Sequence, residues 1–201
     1  MPENDEHNLS VSIGDAAALA AMLCWKGSGT GPMPLQLSRL LPEHVSQVVA
    51  LEQDCGLETW RDQDYCDMLC HDAGFHGLVV SAITDPLKPV SWIAAGAVKA
   101  GPRIIGFIAG RIVPPEAEIY KLAVRVEYRR RRIGSQMIEG FLKMAGERRV
   151  TDCYLEVRRS NVPAIALYSA YGFTCCQTRP MYYSNPAEDG LVMLRRGEKS
   201  Q

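Results

Sequence analysis

Between Leu122 and Tyr168 the chain sets the terms on which it can fold. An apolar run, Leu122-Ala123-Val124, leads into Arg129-Arg130-Arg131-Arg132-Ile133-Gly134-Ser135. Counted from Gly134, residues Met137, Ile138, Phe141 and Leu142 fall at i+3, i+4, i+7 and i+8, the stripe of a helix lying on a sheet. A strand that turns into a helix leaves the first helical N–H groups without carbonyl partners, and the helix dipole adds positive potential at the same end. With arginines in the turn, this is a phosphate site by physics alone. Further on come Leu155-Glu156-Val157-Arg158-Arg159-Ser160-Asn161 and Ala164-Ile165-Ala166-Leu167-Tyr168, then Tyr171-Gly172-Phe173. A carboxylate and a phenol downstream of a phosphate turn offer a base and an acid for chemistry beside it.

The order of these blocks resembles the GNAT superfamily of N-acetyltransferases, whose signature is R/Q-x-x-G-x-G/A between a strand and a helix. The downstream block, L-E-V-R-x-S-N followed by A-I-A-L-Y, resembles the RimI-type ribosomal-protein-alanine N-acetyltransferases. The resemblance runs over residues 33–195, most closely over 117–183. It implies an α/β GNAT fold, a mixed, mostly antiparallel central sheet flanked by helices, with acetyl-CoA as cosubstrate. The acceptor it implies is a protein or peptide N-terminal α-amine, as on a ribosomal protein. A small-amine acetyltransferase and a non-catalytic CoA-binding or ribosome-associated module are the alternatives, because a fold does not fix a function.

By the same resemblance, Glu156 is the proton acceptor and Tyr168 the proton donor. Read from the pattern alone, Glu156 ends an apolar strand beside the core, and its other reading is a carboxylate paired to Arg158 or Arg159. Tyr168 lies seven residues beyond Asn161, two helical turns on one face, and otherwise reads as a core aromatic, as Tyr171 does. Asn161 matches a CoA-contacting residue and is equally a good N-cap. Leu122, Ala123 and Val124 match the strand whose backbone meets the acetyl and pantetheine amides. Arg129, Arg130, Arg131, Arg132, Ile133, Gly134 and Ser135 match the pyrophosphate loop, with one departure: Arg132 stands where the family has its first glycine. Arg179, Tyr182 and Tyr183 match an R-x-x-Y-Y loop over the acceptor amine.

Other elements follow from local signals. Residues 1–32 begin acidic and close on Lys26-Gly27-Ser28-Gly29-Thr30-Gly31-Pro32, an expected flexible extension before a domain over 33–196 and a polar tail over 197–201. A strand is expected over Leu35–Arg39, helices from Pro42 to about Cys55 and from Arg61 to His71, and strands over Ile104–Val113, Ala117–Val124 and Val150–Val157. A helix over Val162–Tyr171, stopped by Gly172, and strands over Phe173–Gln177 and Leu191–Leu194 complete the expected sheet. Gly77–Thr84 and Val90–Val98 both suit a strand; the second is the expected core strand.

Net charge is -1, but residues 1–85 carry net -10 and residues 86–201 net +9, so the basic half coincides with the phosphate turn. The arginine run has no interleaved aromatics, so direct nucleic-acid binding is not expected. Seven cysteines with no C-x-x-C pair read as buried thiols rather than a metal site, in a reducing, cytoplasmic compartment. The apolar run Ala16 to Trp25 is about half the ~20 residues a membrane span needs.

Overall fold

The computed structural model describes residues 35–82 and 102–197. The extension over 1–32, the segment 90–98 and the tail after 197 lie outside them. Along the chain run β1 (Leu35–Arg39), α1 (Val45–Cys55), α2 (Asp62–His71), β2 (Phe75–Ala82), β3 (Arg103–Val113) and β4 (Glu116–Val124). Then follow α3 (Ile133–Glu147), β5 (Asp152–Arg158), α4 (Val162–Ala170), β6 (Thr174–Ser184) and β7 (Ala187–Arg196). The strands form one sheet in the order β1-β2-β3-β4-β5-β7-β6. Every neighbouring pair is antiparallel except β4–β5, which is parallel.

Helices cover both faces. Met137, Ile138 and Phe141 of α3 are buried against Ile108, Ala117, Ile119 and Leu155 on one face. On the other, Val45, Val48 and Leu51 of α1 and Tyr65 of α2 pack on Val79, Phe107 and Ala123. Each fully buried side chain of this size contributes roughly 1.5–3 kcal/mol of transfer free energy. α1 is entered through a 3₁₀ turn at Pro42–His44 and ends at Gly56, whose φ of +68° suits glycine. No described helix is long and apolar enough to cross a membrane.

The place between β1 and β3 is held by Phe75–Ala82, not by the expected segment 90–98. Seven of its eight residues are buried, because helices lie on both its faces. A strand covered on both sides shows no alternation, and two apolar runs cannot then be ranked by pattern.

Two irregularities shape the middle of the sheet. Ala109 pairs with Lys121 and Gly110 with Ile119, which leaves Tyr120 as the extra residue of a bulge in β4. A side chain at Gly110 would put its Cβ 2.1 Å from the Glu118 carbonyl oxygen, so the bulge needs a glycine opposite it. Just past the bulge, β4 and β5 part. They pair from Glu116↔Asp152 to Ile119↔Leu155 and no further. Beyond that point β4 pairs only with β3, up to Val124, and β5 only with β7, up to Arg158. A wedge opens between Tyr120–Val124 and Glu156–Arg158, and the backbone groups of β4 that face it have no strand partner among the described residues.

Candidate active site

The wedge lies between two cavities. The larger, of about 750 Å³, is lined by Leu122, Ala123, Val124, Arg129, Arg130, Arg132, Ile133, Gly134, Ser135 and Asn161, together with Cys55, Leu57, Tyr128, Pro163, Ala164, Ala166 and Leu167. The structure thus gathers ten of the eleven residues expected to hold the cosubstrate. Arg131 is the exception: its guanidinium stands 5.4 Å from the centre of the buried Tyr128 ring instead of lining the cavity.

The basic turn has the geometry of an anion cradle. Arg132 is the N-cap of α3 and makes no side-chain cap, and the first helical bond runs from the Gln136 N–H to the Arg132 carbonyl at 3.0 Å. The N–H groups of Ile133, Gly134 and Ser135 precede that bond and face the same end. Arg130 and Arg132 both adopt left-handed backbone conformations, φ +62° and +61°. Arg132 therefore keeps the conformation that a glycine would supply more cheaply. Arg129 Nε donates to the Val124 carbonyl at 3.0 Å, tying the turn to the end of β4. Asn161 caps α4, its side chain accepting from the Ala164 N–H at 3.3 Å. A Cβ on Gly134 would come 3.2 Å from Leu167 Cδ2, so the passage between α3 and α4 is narrow. Helix N–H groups and arginines at one end and an apolar lining at the other suit a long ligand with phosphates on one end.

The smaller cavity, of about 320 Å³, lies on the opposite face and is lined by Glu156 with Glu116, Glu118, Tyr120, Tyr154, Arg111 and Arg179. Glu156 lies inside β5, two residues before its end, opposite Val192 of β7. Its ionic partner is neither Arg158 nor Arg159. Those pair with Glu188 at 2.8 Å and Asp189 at 3.2 Å. Alternation along β5 sends Glu156 to one face, where Arg179 reaches across β7 and binds it at 2.5 Å.

Arg179 belongs to a wide bulge. Arg179 pairs with Gly190 and Tyr183 with Glu188, so Pro180, Met181 and Tyr182 stand opposite Asp189 alone. The expected loop is thus a distorted stretch within β6. Asp189 Oδ1 accepts from the Met181 N–H at 3.1 Å and fixes the bulge. Tyr182 packs over Gly190, where an added Cβ would come 2.9 Å from its ring, and the neighbouring Glu156 carboxylate, followed by burial, raises the Tyr182 pKa.

Tyr168 is buried, 7% exposed, and its ring meets Phe173 edge-on at 5.9 Å. It lines neither cavity and shares none with Glu156. Burial, and then the Tyr183 phenol, raise its pKa, so it keeps its proton at neutral pH. The Tyr183 pKa is itself raised by burial and then by the Glu156 charge, so Tyr183 lies within electrostatic range of both Tyr168 and Glu156. Tyr171, expected to be a plain core aromatic, instead donates its hydroxyl to Glu139 at 2.6 Å and joins α4 to α3.

Sequence reasoning missed two features. One is Glu118: partial desolvation, and then the charge of Glu156, raise its pKa, with Arg179 offsetting part of this, although the side chain as a whole is exposed. Its signal was a Glu-x-Glu alternation at the start of β4. The other is a buried cluster beside the wedge. Glu52, 0% exposed, accepts from Lys121 Nζ at 2.7 Å, from the Tyr65 hydroxyl at 2.6 Å and from the Trp60 N–H at 3.1 Å. Lys121 also donates to the Glu58 carbonyl at 2.6 Å and lies 4.0 Å from the Trp60 ring centre, which pins the chain between α1 and α2 against β4. A lone Glu in a helix and a lone Lys in a strand give no local sign of such a pairing.

Comparison with known proteins follows the same lines. The family model described as acetyltransferase (GNAT) family matches residues 46–173. The chain is 34% identical over 96 residues to the ribosomal protein bS18-alanine N-acetyltransferase of Salmonella typhimurium (strain LT2), covering 47% of this chain and 65% of that enzyme. It thus spans just under two thirds of that relative's length. It is 32% identical over 151 residues to a putative ribosomal protein bS18-alanine N-acetyltransferase of Bacillus subtilis (strain 168), covering 75% of this chain and 88% of that one. Among solved structures, Arabidopsis thaliana NAA60 in complex with acetyl-CoA superposes with a TM-score of 0.67 at 17% identity, over 82% of this chain and 99% of that one. At that identity the likeness is one of fold.

Proposed function

Because the chain belongs to the acetyltransferase (GNAT) family, we propose that it transfers the acetyl group of acetyl-CoA directly to the α-amine of a protein N-terminus. The observation that carries this reading is the wedge, which places an anion cradle with an apolar channel on one side of the sheet and Glu156 on the other. The N–H groups of Ile133, Gly134 and Ser135, with Arg129, Arg130 and Arg132, hold the pyrophosphate. The unpaired edge of β4 at Leu122–Val124 receives the amides of the pantetheine arm. One of its N–H groups donates to the thioester oxygen as negative charge develops there.

The acceptor enters from the Glu156 side. An N-terminal ammonium has an unperturbed pKa near 8 and must lose a proton before it attacks. Glu156 takes that proton and passes it to solvent, the free amine attacks and the N–C bond forms, the nitrogen gives its second proton to Glu156, and the C–S bond breaks. Tyr168 gives its proton to the leaving thiolate and regains one from solvent. The raised pKa of Tyr168 weakens it as an acid, so donation has to accompany C–S cleavage as charge builds on sulfur.

The relatives favour a peptide acceptor, a ribosomal protein among them, over a small amine. A peptide lies extended along strand edges, so residues behind the amine contribute to binding. Thiol release with an alanine-initiated peptide is therefore expected to exceed that with the same peptide blocked at its α-amine and carrying one free lysine. Polyamines are expected to be poorer still. A small amine with the higher kcat/KM would overturn the peptide reading.

A further inference from the structure

In the second cavity, carboxylates outnumber cations. Glu116, Glu118 and Glu156 line it against Arg111 and Arg179. Arg111 is already engaged, its Nε donating to Asp72 Oδ2 at 3.1 Å. Among the described residues Arg179 alone pairs with Glu156, and Glu118 makes no ion pair. The guanidinium also rests on the Tyr182 ring, 5.3 Å from its centre. Arg179 therefore fills, with a cation over an aromatic ring and against a carboxylate, the kind of place that an ammonium group fills well.

We infer that Arg179 is a resident counter-ion that the acceptor's ammonium displaces, and that Glu118 is the specificity-determining carboxylate that receives this ammonium beside Glu156. This rests on the reading of the site given under Proposed function and names the form in which that acceptor is recognised, a protonated primary amine.

Three features make the exchange physically reasonable. Arg179 is 46% exposed, so its pair with Glu156 is solvent-screened and weak. It sits at the edge of the three-residue bulge in β6, where no regular ladder holds the backbone, and Met181 at the bulge is 68% exposed. The exchange also conserves charge: one cation leaves the pair of glutamates and another arrives. Once the guanidinium has gone, Glu156 is free to take the proton that the ammonium gives up. A neutral group, such as an acetylated N-terminus, has no charge with which to displace Arg179, which would clear the product from the site.

Glu118 adds a pH dependence. Its pKa lies above the ordinary carboxylate value because of desolvation and the neighbouring Glu156 charge, with Arg179 offsetting part of the rise. It therefore protonates, as pH falls, before an isolated glutamate would. Ammonium binding is complete between that raised value and the pKa of the ammonium itself, and weakens as pH drops through the lower of the two.

The test follows the Arg179 Nε–H resonance in ¹⁵N-arginine-labelled full-length protein with CoA present, assigned by its loss in Arg179→Lys. An alanine-initiated peptide is titrated in, and then its N-acetylated counterpart. The expected result is a shift with the free amine only, with affinity about tenfold weaker in Glu118→Gln and partly restored in Glu118→Asp. In turnover, Glu118→Gln is expected to raise the peptide KM about tenfold and leave the acetyl-CoA KM in place. The same shift with both peptides, no shift with either, or unchanged affinity in Glu118→Gln would overturn the inference. A shift with the free amine but no acetylation would support the exchange and defeat the proposed reaction; acetylation without a shift would do the reverse.

Discussion

Arg132 shows how far one residue can be read. The sequence reveals that an arginine stands in a glycine's place, but φ is not written in the side chain, and only the structure shows the backbone at +61°. A non-glycine residue held there costs roughly 1–2 kcal/mol. Arg132→Gly is therefore expected to raise the unfolding free energy by about 1 kcal/mol in urea titrations, with acetyl-CoA affinity falling no more than several-fold, since three helix N–H groups remain. Gly134→Val fills the gap beside Leu167 Cδ2 and is expected to weaken acetyl-CoA at least tenfold in calorimetry, with the melting transition retained. Glu156 and Tyr168 were legible as candidates because carboxylate and phenol stand in a recognisable local order. Their partners were not: Arg158 and Arg159 are neighbours in sequence, whereas Arg179 arrives across an intervening strand.

At the scale of elements, legibility followed periodicity. α3 shows a clean stripe: of its expected core positions, Met137, Ile138 and Phe141 are fully buried and Leu142 is partly buried against them. β2 shows none, because it is covered on both faces, and its place was assigned to the wrong apolar run. The bulges in β4 and β6 were invisible, since an extra residue in one strand is defined only by its partner's register. The link from β4 to the segment between α1 and α2 was equally hidden, and it carries a test. Lys121 neutralises a fully buried carboxylate, so Lys121→Met strands the Glu52 charge and is expected to cost about 3–5 kcal/mol. Adding Glu52→Gln should recover much of that loss, because the remaining amide is neutral. A urea double-mutant cycle measures the coupling; additive single-mutant losses would show that the pair does not hold the segment to the sheet.

The whole molecule supplies what no segment contains. Strand order places β5 beside β4 in parallel and β7 between β5 and β6, and the wedge exists because β4 and β5 pair over four residues and then part. The two cavities and the basic turn are each local, but their arrangement on either side of one opening belongs to topology. That arrangement carries the central claim, that a proton leaves the acceptor to Glu156 while the thioester is held across the sheet. Turnover of an alanine-initiated peptide by Glu156→Gln, at saturating acetyl-CoA, tests it most directly. The substitution keeps the shape and removes the base, so kcat is expected to fall by roughly 100- to 10,000-fold, with acetyl-CoA affinity unchanged. A variant that turns over at near the wild-type rate would contradict the account.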